Sequence, residues 1–182
     1  MNLTKDTYGG LVAQYRGGNV VRDISIDLVP LWCDAYNYMN PQAELVQVDV
    51  DTHGTSCSYL FDIALERNIV AFGMPILSKH QRDKNRQNKH PRSGGSKFDR
   101  GHLIAHALGG GMDINVAPQL SKLNQGDFKV LETKVRKLTE QNVRCFYFVR
   151  SIYTNKSTMP RMFEQCVIHP LGTIDYEIHR NF

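Results

Sequence analysis

The clearest pattern of apolar positions follows Leu123, where apolar side chains recur every three or four residues with lysines between them. The apolar positions are Phe128, Leu131, Val135 and Leu138. This spacing places them on one face of an α-helix, so the sequence predicts an amphipathic helix with that face buried.

Several shorter segments have the residue types of β-strands. Residues 44–50 alternate apolar and polar positions, which is the period of a half-buried strand, and residues 143–149 are typical of a buried one. Residues 164–169 and 173–178 flank Pro170-Leu171-Gly172 and predict a terminal hairpin.

Residues 59–63 and 69–72 allow two interpretations, a hairpin or a single helix from Cys57 onward. Aromatic and β-branched residues dominate these segments, and Asn68 suits a turn. The hairpin is therefore favoured.

Residues 1–43 have weak periodicity and two glycine pairs, so we expect irregular structure there, with a short helix over residues 30–38 as an option. A chain of 182 residues buries one sizeable core rather than two. We therefore expect a single domain over residues 1–182, whose core is formed by residues 44–182.

Composition and the amino-terminal sequence exclude several classes of protein. With 41% hydrophobic and 22% charged residues, the chain is neither disordered nor a coiled coil. No window approaches the roughly 18 apolar residues of a membrane-spanning helix, so no membrane association is expected. The absence of a secretory signal favours the cytoplasm.

The four cysteines are widely spaced and include no C-x-x-C pair, so the sequence predicts reduced, structural thiols.

Positive charge is concentrated between Lys79 and Arg100. This segment has eight basic and two acidic residues, a local net charge of +6, whereas the whole chain carries +4. Residues 78–97 contain almost nothing to bury, so we expect a long basic surface loop. Its side chains either contact the phosphates of a nucleic acid or form a solvated surface; the candidate contacts are Lys84, Arg86, Lys89, Arg92 and Lys97.

The motif that carries chemistry begins where this loop ends, at Asp99-Arg100-Gly101-His102. Such a tetrapeptide is a weak signal by itself, because it arises by chance in many proteins. Here an ordered set of further residues follows it: Asn115-x-x-Pro118-Gln119, then Asn124, then Glu132 and Arg136 four residues apart.

With this set, the sequence resembles the DNA/RNA non-specific endonucleases, the Serratia-nuclease-like branch of the ββα-metal or His-Me finger nucleases. The resemblance covers about residues 44–181, with the motif confined to residues 99–136. It implies an α+β fold with an antiparallel sheet and a ββα-metal finger. It also implies metal-dependent, sequence-non-specific hydrolysis of DNA, with RNA as a second substrate.

The resemblance implies a role for each motif residue, and the chemistry of each residue fits its role. His102 is the general base, since its unperturbed pKa lies near neutrality, and a backbone carbonyl fixes its other ring nitrogen. Asn124 opens the helix and holds one Mg²⁺, with Mn²⁺ as a substitute. Glu132, two turns along the same helix, orders the water shell of the metal.

The arginines and the first asparagine of the motif complete the expected site. Arg100 and Arg136 would bind phosphate through their planar guanidinium groups, and Asn115 would buttress the ββ segment. Two structural alternatives remain at this point, that Asn124 only caps the helix and that Glu132 and Arg136 form only a surface ion pair.

Other functions remain as alternatives. One is a nucleic-acid-binding module of the same fold without catalysis, and another is a zinc-stabilised interaction domain using His102 and His106, for which no third ligand follows at a suitable spacing. Nuclease domains of bacterial polymorphic toxins also carry glycines after the motif. This similarity implies an antibacterial toxin or effector, with an immunity protein as partner, that is exported without a classical signal peptide.

Overall fold

The computed structural model describes residues 3–15, 19–52, 55–79, Asn85 and residues 95–182, and it describes residues 51, 52, 55 and 56 by their backbone alone. The helices are α1 (Lys5–Val12), α2 (Val20–Asp23), α3 (Ser25–Met39), α4 (Ser121–Gln125) and α5 (Asp127–Glu140). The strands are β1 (Leu45–Thr52), β2 (Thr55–Asp62), β3 (Arg67–Gly73), β4 (Phe98–His102), β5 (Val116–Leu120), β6 (Phe146–Ile152), β7 (Met162–Ile168) and β8 (Ile174–Arg180).

The strands form one large and one small antiparallel sheet. The large sheet has the order β1-β2-β3-β6-β7-β8, and β4 pairs with β5 in a separate hairpin. The predicted α+β class with an antiparallel sheet is confirmed. So are the strand over residues 44–50, the hairpin of β2 and β3, and the terminal hairpin of β7 and β8.

The large sheet separates two apolar clusters. On one face, Trp32 of α3 packs against Phe148 of β6 with ring centroids 4.9 Å apart. On the other face, Phe128 of α5 packs against Phe163 of β7, and the same cluster includes Leu103, which directly follows β4. The β4–β5 hairpin and α5 therefore pack on the same face of the large sheet, and the motif residues lie in this packed layer.

The expected irregular structure over residues 1–43 is wrong over α1, α2 and α3, and the optional short helix over residues 30–38 is confirmed as part of α3. Thr4 caps α1 in a reciprocal arrangement with Thr7, and α3 buries Leu28 and Trp32 completely. The glycines in α1 lower its intrinsic helix propensity, but the packing of this helix onto the sheet outweighs that loss. The core therefore includes residues before position 44.

The helix predicted after Leu123 is confirmed as α5, but it does not include Asn124. Gly126, with φ −116° and ψ −104°, separates α4 from α5. Asn124 and Glu132 consequently lie on different helices, so the expectation that they share one helix face is wrong. Glycine has the lowest helix propensity after proline, which explains the break.

The strand predicted over residues 143–149 begins three residues later. Asn142 adopts a left-handed conformation with φ 57°, and the Val143 amide donates to the Leu138 carbonyl at 2.9 Å. These contacts end α5 with a helix-terminating turn, and β6 begins after it.

The four cysteines are free thiols, as the sequence predicts. Cys33, Cys57, Cys145 and Cys166 are all unpaired, and burial raises the pKa of the Cys145 thiol to about 11. None of the helices in the described ranges combines the length and the apolar character that a bilayer-spanning helix needs.

Candidate active site

The part of the motif from Asp99 to Asn124 spans a ββα unit made of β4, β5 and α4, and Glu132 and Arg136 follow on α5. Asp99-Arg100-Gly101-His102 forms the last four residues of β4. In the antiparallel register, Arg100 lies opposite Pro118 and His102 lies opposite Val116. The first two segments of the motif thus lie on directly paired strands, with His102 at the end of its strand.

Gly101 is explained by a close approach of Gln119. A Cβ atom at position 101 would overlap Oε1 of Gln119, whose side chain is fully buried. The amide atoms of Gln119 have no hydrogen-bond partner among the described residues. The hairpin therefore accepts only glycine here without displacing Gln119.

His102 is enclosed by the loop that follows it. The side chain is 6% exposed, and its Nε2 atom lies 3.2 Å from Sδ of Met112. This contact of Nε2 is thus to a thioether sulfur. Met112 had no assigned role, because an apolar residue after three glycines carries no sequence signal of its own.

Asn115 holds that loop in place. Its Oδ1 accepts from the Ile104 amide at 3.0 Å, and its Nδ2 donates to the carbonyls of Ile104 and Gly111, both at 2.8 Å. Its carbonyl accepts from the Leu103 amide at 2.8 Å. Asn115, whose side chain is fully buried, thereby fixes both ends of the segment from Leu103 to Gly111 through its side chain and its carbonyl.

Asp99 joins β4 to α4. Its Oδ1 accepts from Ser121 Oγ at 2.8 Å, and its Oδ2 accepts from Nδ2 of Asn124 and Nε2 of Gln125, both at 3.1 Å. Asn124 is the fourth residue of α4 and donates to a carboxylate, so the alternative that it only caps a helix is wrong. Asp99 received no role from the sequence, although it opens the motif.

The amide of Asn124 has one end available for a ligand. Its side chain is half-buried, and its Oδ1 accepts no hydrogen bond from the part of the chain that the structure describes. This oxygen lies on the helix anchored to the strand of His102. An oriented amide oxygen of this kind is a hard ligand, which suits a hard divalent cation.

The two motif residues on α5, Glu132 and Arg136, differ in their exposure to solvent. Glu132 is half-buried, and its charge acts on Tyr147, whose pKa is raised by burial and further by Glu132. Arg136 is exposed and donates from Nε to Glu140 at 2.9 Å. Arg136 therefore forms an ion pair with Glu140, one turn further along the helix. On β4, Arg100 is half-buried.

Of the basic loop, the structure describes residues 78, 79, 85 and 95–97. Lys97 is exposed, and its carbonyl accepts from the backbone amide of Ser121 at 2.9 Å and from its Oγ at 3.1 Å. The loop therefore ends beside the start of α4. The other predicted phosphate contacts, Lys84, Arg86, Lys89 and Arg92, lie outside the described residues.

Comparison with known proteins identifies the fold and the family. The crystal structure of NucA from Streptococcus agalactiae with magnesium ion bound is 19% identical, with a TM-score of 0.60 over 90% of this chain and 92% of that chain. The Sda1 nuclease with bound zinc ion is 16% identical, with a TM-score of 0.53 over 79% of this chain and 86% of that chain. At these identities the likeness shows the ββα-metal nuclease fold.

The sequence itself gives the family assignment. No curated protein sequence matches the chain significantly. A family model for DNA/RNA non-specific endonucleases matches residues 66–167, which is more than half of the chain and includes the whole motif. The resemblance seen in the motif is confirmed, and this chain belongs to the DNA/RNA non-specific endonuclease family.

Proposed function

We propose that this protein is a divalent-metal-dependent endonuclease that hydrolyses phosphodiester bonds in DNA without sequence preference, with RNA as a second candidate substrate. Membership of the family supports nuclease activity in general. The metal-dependent mechanism is supported most directly by the hydrogen bond from Asn124 to Asp99, which lies three residues before His102 on the same strand.

His102 is proposed as the general base. A phosphodiester anion repels hydroxide, so hydrolysis near neutral pH needs a group that removes the proton from an attacking water. Imidazole titrates in this range, and the side chain of His102 is held at the end of β4 with little exposure to bulk water. The ring is therefore both oriented and able to accept a proton.

Asn124 is proposed to hold the metal through Oδ1. Magnesium takes one or two protein oxygens and keeps several of its waters, so a single amide oxygen fits it. Across the described ranges, no group of three or more His, Cys, Asp and Glu side chains could hold a metal ion, as a closed zinc site requires. We therefore favour Mg²⁺ or Mn²⁺. When bound, the cation supplies positive charge to the phosphate oxygens.

The charged side chains complete the proposed site. Arg100 and Arg136 bind the non-bridging phosphate oxygens, because a guanidinium fork can donate two parallel hydrogen bonds to them. Glu132 accepts hydrogen bonds from waters near the metal. Asn115 acts indirectly, since its contacts fix the loop after His102 rather than any reacting atom.

The test is cleavage of supercoiled plasmid and of total RNA after removal of metal with EDTA, with Mg²⁺, Mn²⁺ or Zn²⁺ added back. We expect cleavage with Mg²⁺ and Mn²⁺, and about a 100- to 10,000-fold loss in His102→Ala, the usual contribution of a general base. His106→Ala is the matched control and should retain activity. Binding without cleavage by the wild type favours the inactive binding module instead, and full activity of His102→Ala excludes it as the base.

The biological setting is a separate part of the proposal. We propose an antibacterial toxin that acts in the cytoplasm of a target cell and is neutralised in its producer by an immunity protein. Expression of the wild type in a bacterial cytoplasm should then degrade the chromosome, whereas His102→Ala should be tolerated. Normal growth with soluble, active wild-type enzyme contradicts the toxin role.

A further inference from the structure

We infer that Arg161, Arg180 and Phe182 form a contact surface for the phosphate backbone of duplex DNA, beside the ββα unit. We call these three residues the arginine surface. The inference deepens the proposed function and rests on it for the choice of nucleic acid as the ligand. The arginine surface is separate from the basic loop over residues 78–97, and none of its residues has a role in the proposed catalysis.

Phe182 orders the two arginines of this surface. The guanidinium carbon of Arg161 lies 3.3 Å from the centre of the Phe182 ring, and that of Arg180 lies 6.0 Å from it. Both arginines are exposed, and so is more than half of the Phe182 side chain. A guanidinium that stacks on an aromatic face can still donate hydrogen bonds in its own plane. The two arginines can therefore bind an anion from an ordered position.

The charge of the arginine surface is not neutralised by the protein. Among the residues that the structure describes, no carboxylate forms an ion pair with Arg161 or Arg180. The strand register pairs Met162, which follows Arg161, with Arg180. Two positive charges held beside one ring repel each other, and a polyanion that binds both relieves this repulsion. A phosphate backbone fits this requirement, and its binding also releases condensed counterions.

Asn181 attaches the arginine surface to the strand that pairs with the motif. Its Oδ1 accepts from the Leu120 amide at 2.8 Å, and its Nδ2 donates to the Pro118 carbonyl at 3.0 Å. These are the bonds that a third strand would make to the edge of β5. The backbone amide of Asn181 donates to the Arg161 carbonyl at 3.0 Å. Since Pro118 lies opposite Arg100 in the hairpin, the surface is joined to the ββα unit by a buried side chain.

The same part of β5 connects the arginine surface with the end of the basic loop. Leu120, which donates to Asn181, is followed by Ser121, which donates from its amide to the Lys97 carbonyl at 2.9 Å. Lys97 and Lys122 are both exposed. The positive surface therefore continues from the basic loop, past the start of α4, to the end of β8.

The test is binding of a short fluorescein-labelled DNA duplex, measured by fluorescence anisotropy against salt concentration. EDTA is present, so that cleavage does not interfere. The variant combines Arg161→Gln with Arg180→Gln. We expect its Kd to rise roughly 3- to 20-fold, as for the loss of two exposed charge pairs. The log-log salt slope should fall by about 1.8, since each phosphate contact contributes about 0.9.

The matched control removes two arginines elsewhere, by Arg22→Gln with Arg144→Gln. Both residues are exposed; Arg22 lies on α2, and Arg144 precedes β6 at the end of the large sheet opposite Arg161. This control has the same net charge as the test variant and should change the slope by less. Phe182→Leu keeps both charges. It should raise Kd about 2- to 5-fold with a nearly unchanged slope, the loss expected for one exposed cation–π contact.

Plasmid cleavage with Mg²⁺ shows whether the surface binds the strand that is cut. For the double arginine variant we expect a higher KM and an unchanged kcat, because the arginines bind substrate away from the reacting atoms. A lower kcat at unchanged KM overturns the inference, since the arginines would then act in the chemical step.

The remaining results separate the inference from the proposed function. If the wild type cleaves DNA and the double arginine variant matches the control in Kd and slope, the inference alone is overturned. If duplex binding depends on both arginines but the wild type cleaves no nucleic acid with any metal, the proposed catalysis is overturned and the contact surface is supported.

Discussion

Asn124 donates from Nδ2 to Oδ2 of Asp99 at 3.1 Å, and this bond determines which end of the amide faces away from the strand. The nitrogen is held by the carboxylate, so the oxygen is the atom left to bind a ligand. A carboxylate that accepts from three side chains of α4 also sets the position of that helix on β4. Asp99 therefore controls both the orientation and the location of the proposed metal ligand.

Asp99→Ala should therefore weaken metal binding without removing the ligand. We expect the Mg²⁺ concentration for half-maximal cleavage to rise about 10- to 100-fold, the usual effect of losing a residue that orients a ligand. Gln125→Ala, which removes a different bond to the same carboxylate, should have a smaller effect. An unchanged Mg²⁺ titration for Asp99→Ala would show that Asn124 needs no such orientation.

Asn124→Ala removes the proposed ligand itself. At limiting Mg²⁺ we expect activity to be lost, and added Mg²⁺ or Mn²⁺ should recover part of it, because waters can replace one protein oxygen. The measurement is cleavage rate against metal concentration, with circular dichroism to check that the helices are intact. Activity equal to the wild type at limiting metal would exclude Asn124 as the ligand.

Gly110→Ala should disrupt the loop that follows His102. A Cβ atom at this position would overlap the Ile104 carbonyl and would lie 2.7 Å from Nδ2 of Asn115. We expect a loss of at least about 3 kcal/mol in the free energy of unfolding, because backbone has to move.

A matched glycine lies in α1. A Cβ atom at Gly10 would meet no other part of the described chain within 4 Å, so Gly10→Ala should stabilise the protein by about 0.5–1 kcal/mol. Urea unfolding of both variants provides the comparison. Equal effects of the two substitutions would contradict the close packing around Gly110.

The sequence predicted those elements whose pattern is local. The alternation in β1 and the apolar stripe of α5 each depend on neighbours within one element, and both are confirmed. The motif likewise depends on spacing. Before residue 43 the sequence offered only a short helix over residues 30–38. The rest of α1 to α3 was missed because these helices are stabilised by packing onto distant strands, which a local pattern does not contain.

The parts of the site that the sequence did not predict are tertiary contacts. Met112 lies ten positions after His102, and Tyr59 lies 52 positions before Gly111. Neither relationship follows from a period or a motif. The break at Gly126 was missed for another reason, because the apolar stripe beyond it is consistent with a helix that starts at any earlier residue.

Asp175 should contribute to stability in a pH-dependent way. Burial acts to raise its pKa, but bonds from Lys134 at 2.6 Å and from His169 lower it below the ordinary value. A carboxyl whose pKa is lower in the folded state stabilises the fold above its unfolded pKa near 4, and this contribution is lost as the pH falls through the folded pKa.

Urea unfolding of Asp175→Asn tests this dependence. At pH 7 we expect a loss of about 1 kcal/mol or less, since the pair is partly exposed, and the difference from the wild type should shrink at pH 3 and below. Asp34→Asn, at an exposed position on α3, is the control. A difference that stays constant from pH 7 to pH 3 would contradict a stabilising charge on Asp175.

The basic loop should act as an electrostatic contact for phosphates. Eight basic residues lie between Lys79 and Arg100, and the loop ends beside α4, where Lys97 bonds Ser121. Binding that depends on phosphate contacts releases counterions, so affinity for duplex DNA falls with salt at a log-log slope of about 0.9 per contact. Neutral replacement of Lys84, Arg86 and Lys89 should therefore raise KM and flatten this slope, with kcat nearly unchanged.

The cleavage rate at subsaturating plasmid is measured against salt concentration. This measurement distinguishes a loop that contacts phosphates from one whose basic residues are only solvated. Neutral replacement of Lys129, Lys134 and Lys137 removes the same charge from α5 and is the matched control; its slope should stay closer to that of the wild type. Phosphate contacts carry no base information, so sequence preference should remain weak in all three proteins. If the loop variant and the wild type have the same slope, the basic residues form a solvated surface and the contacts to nucleic acid lie elsewhere.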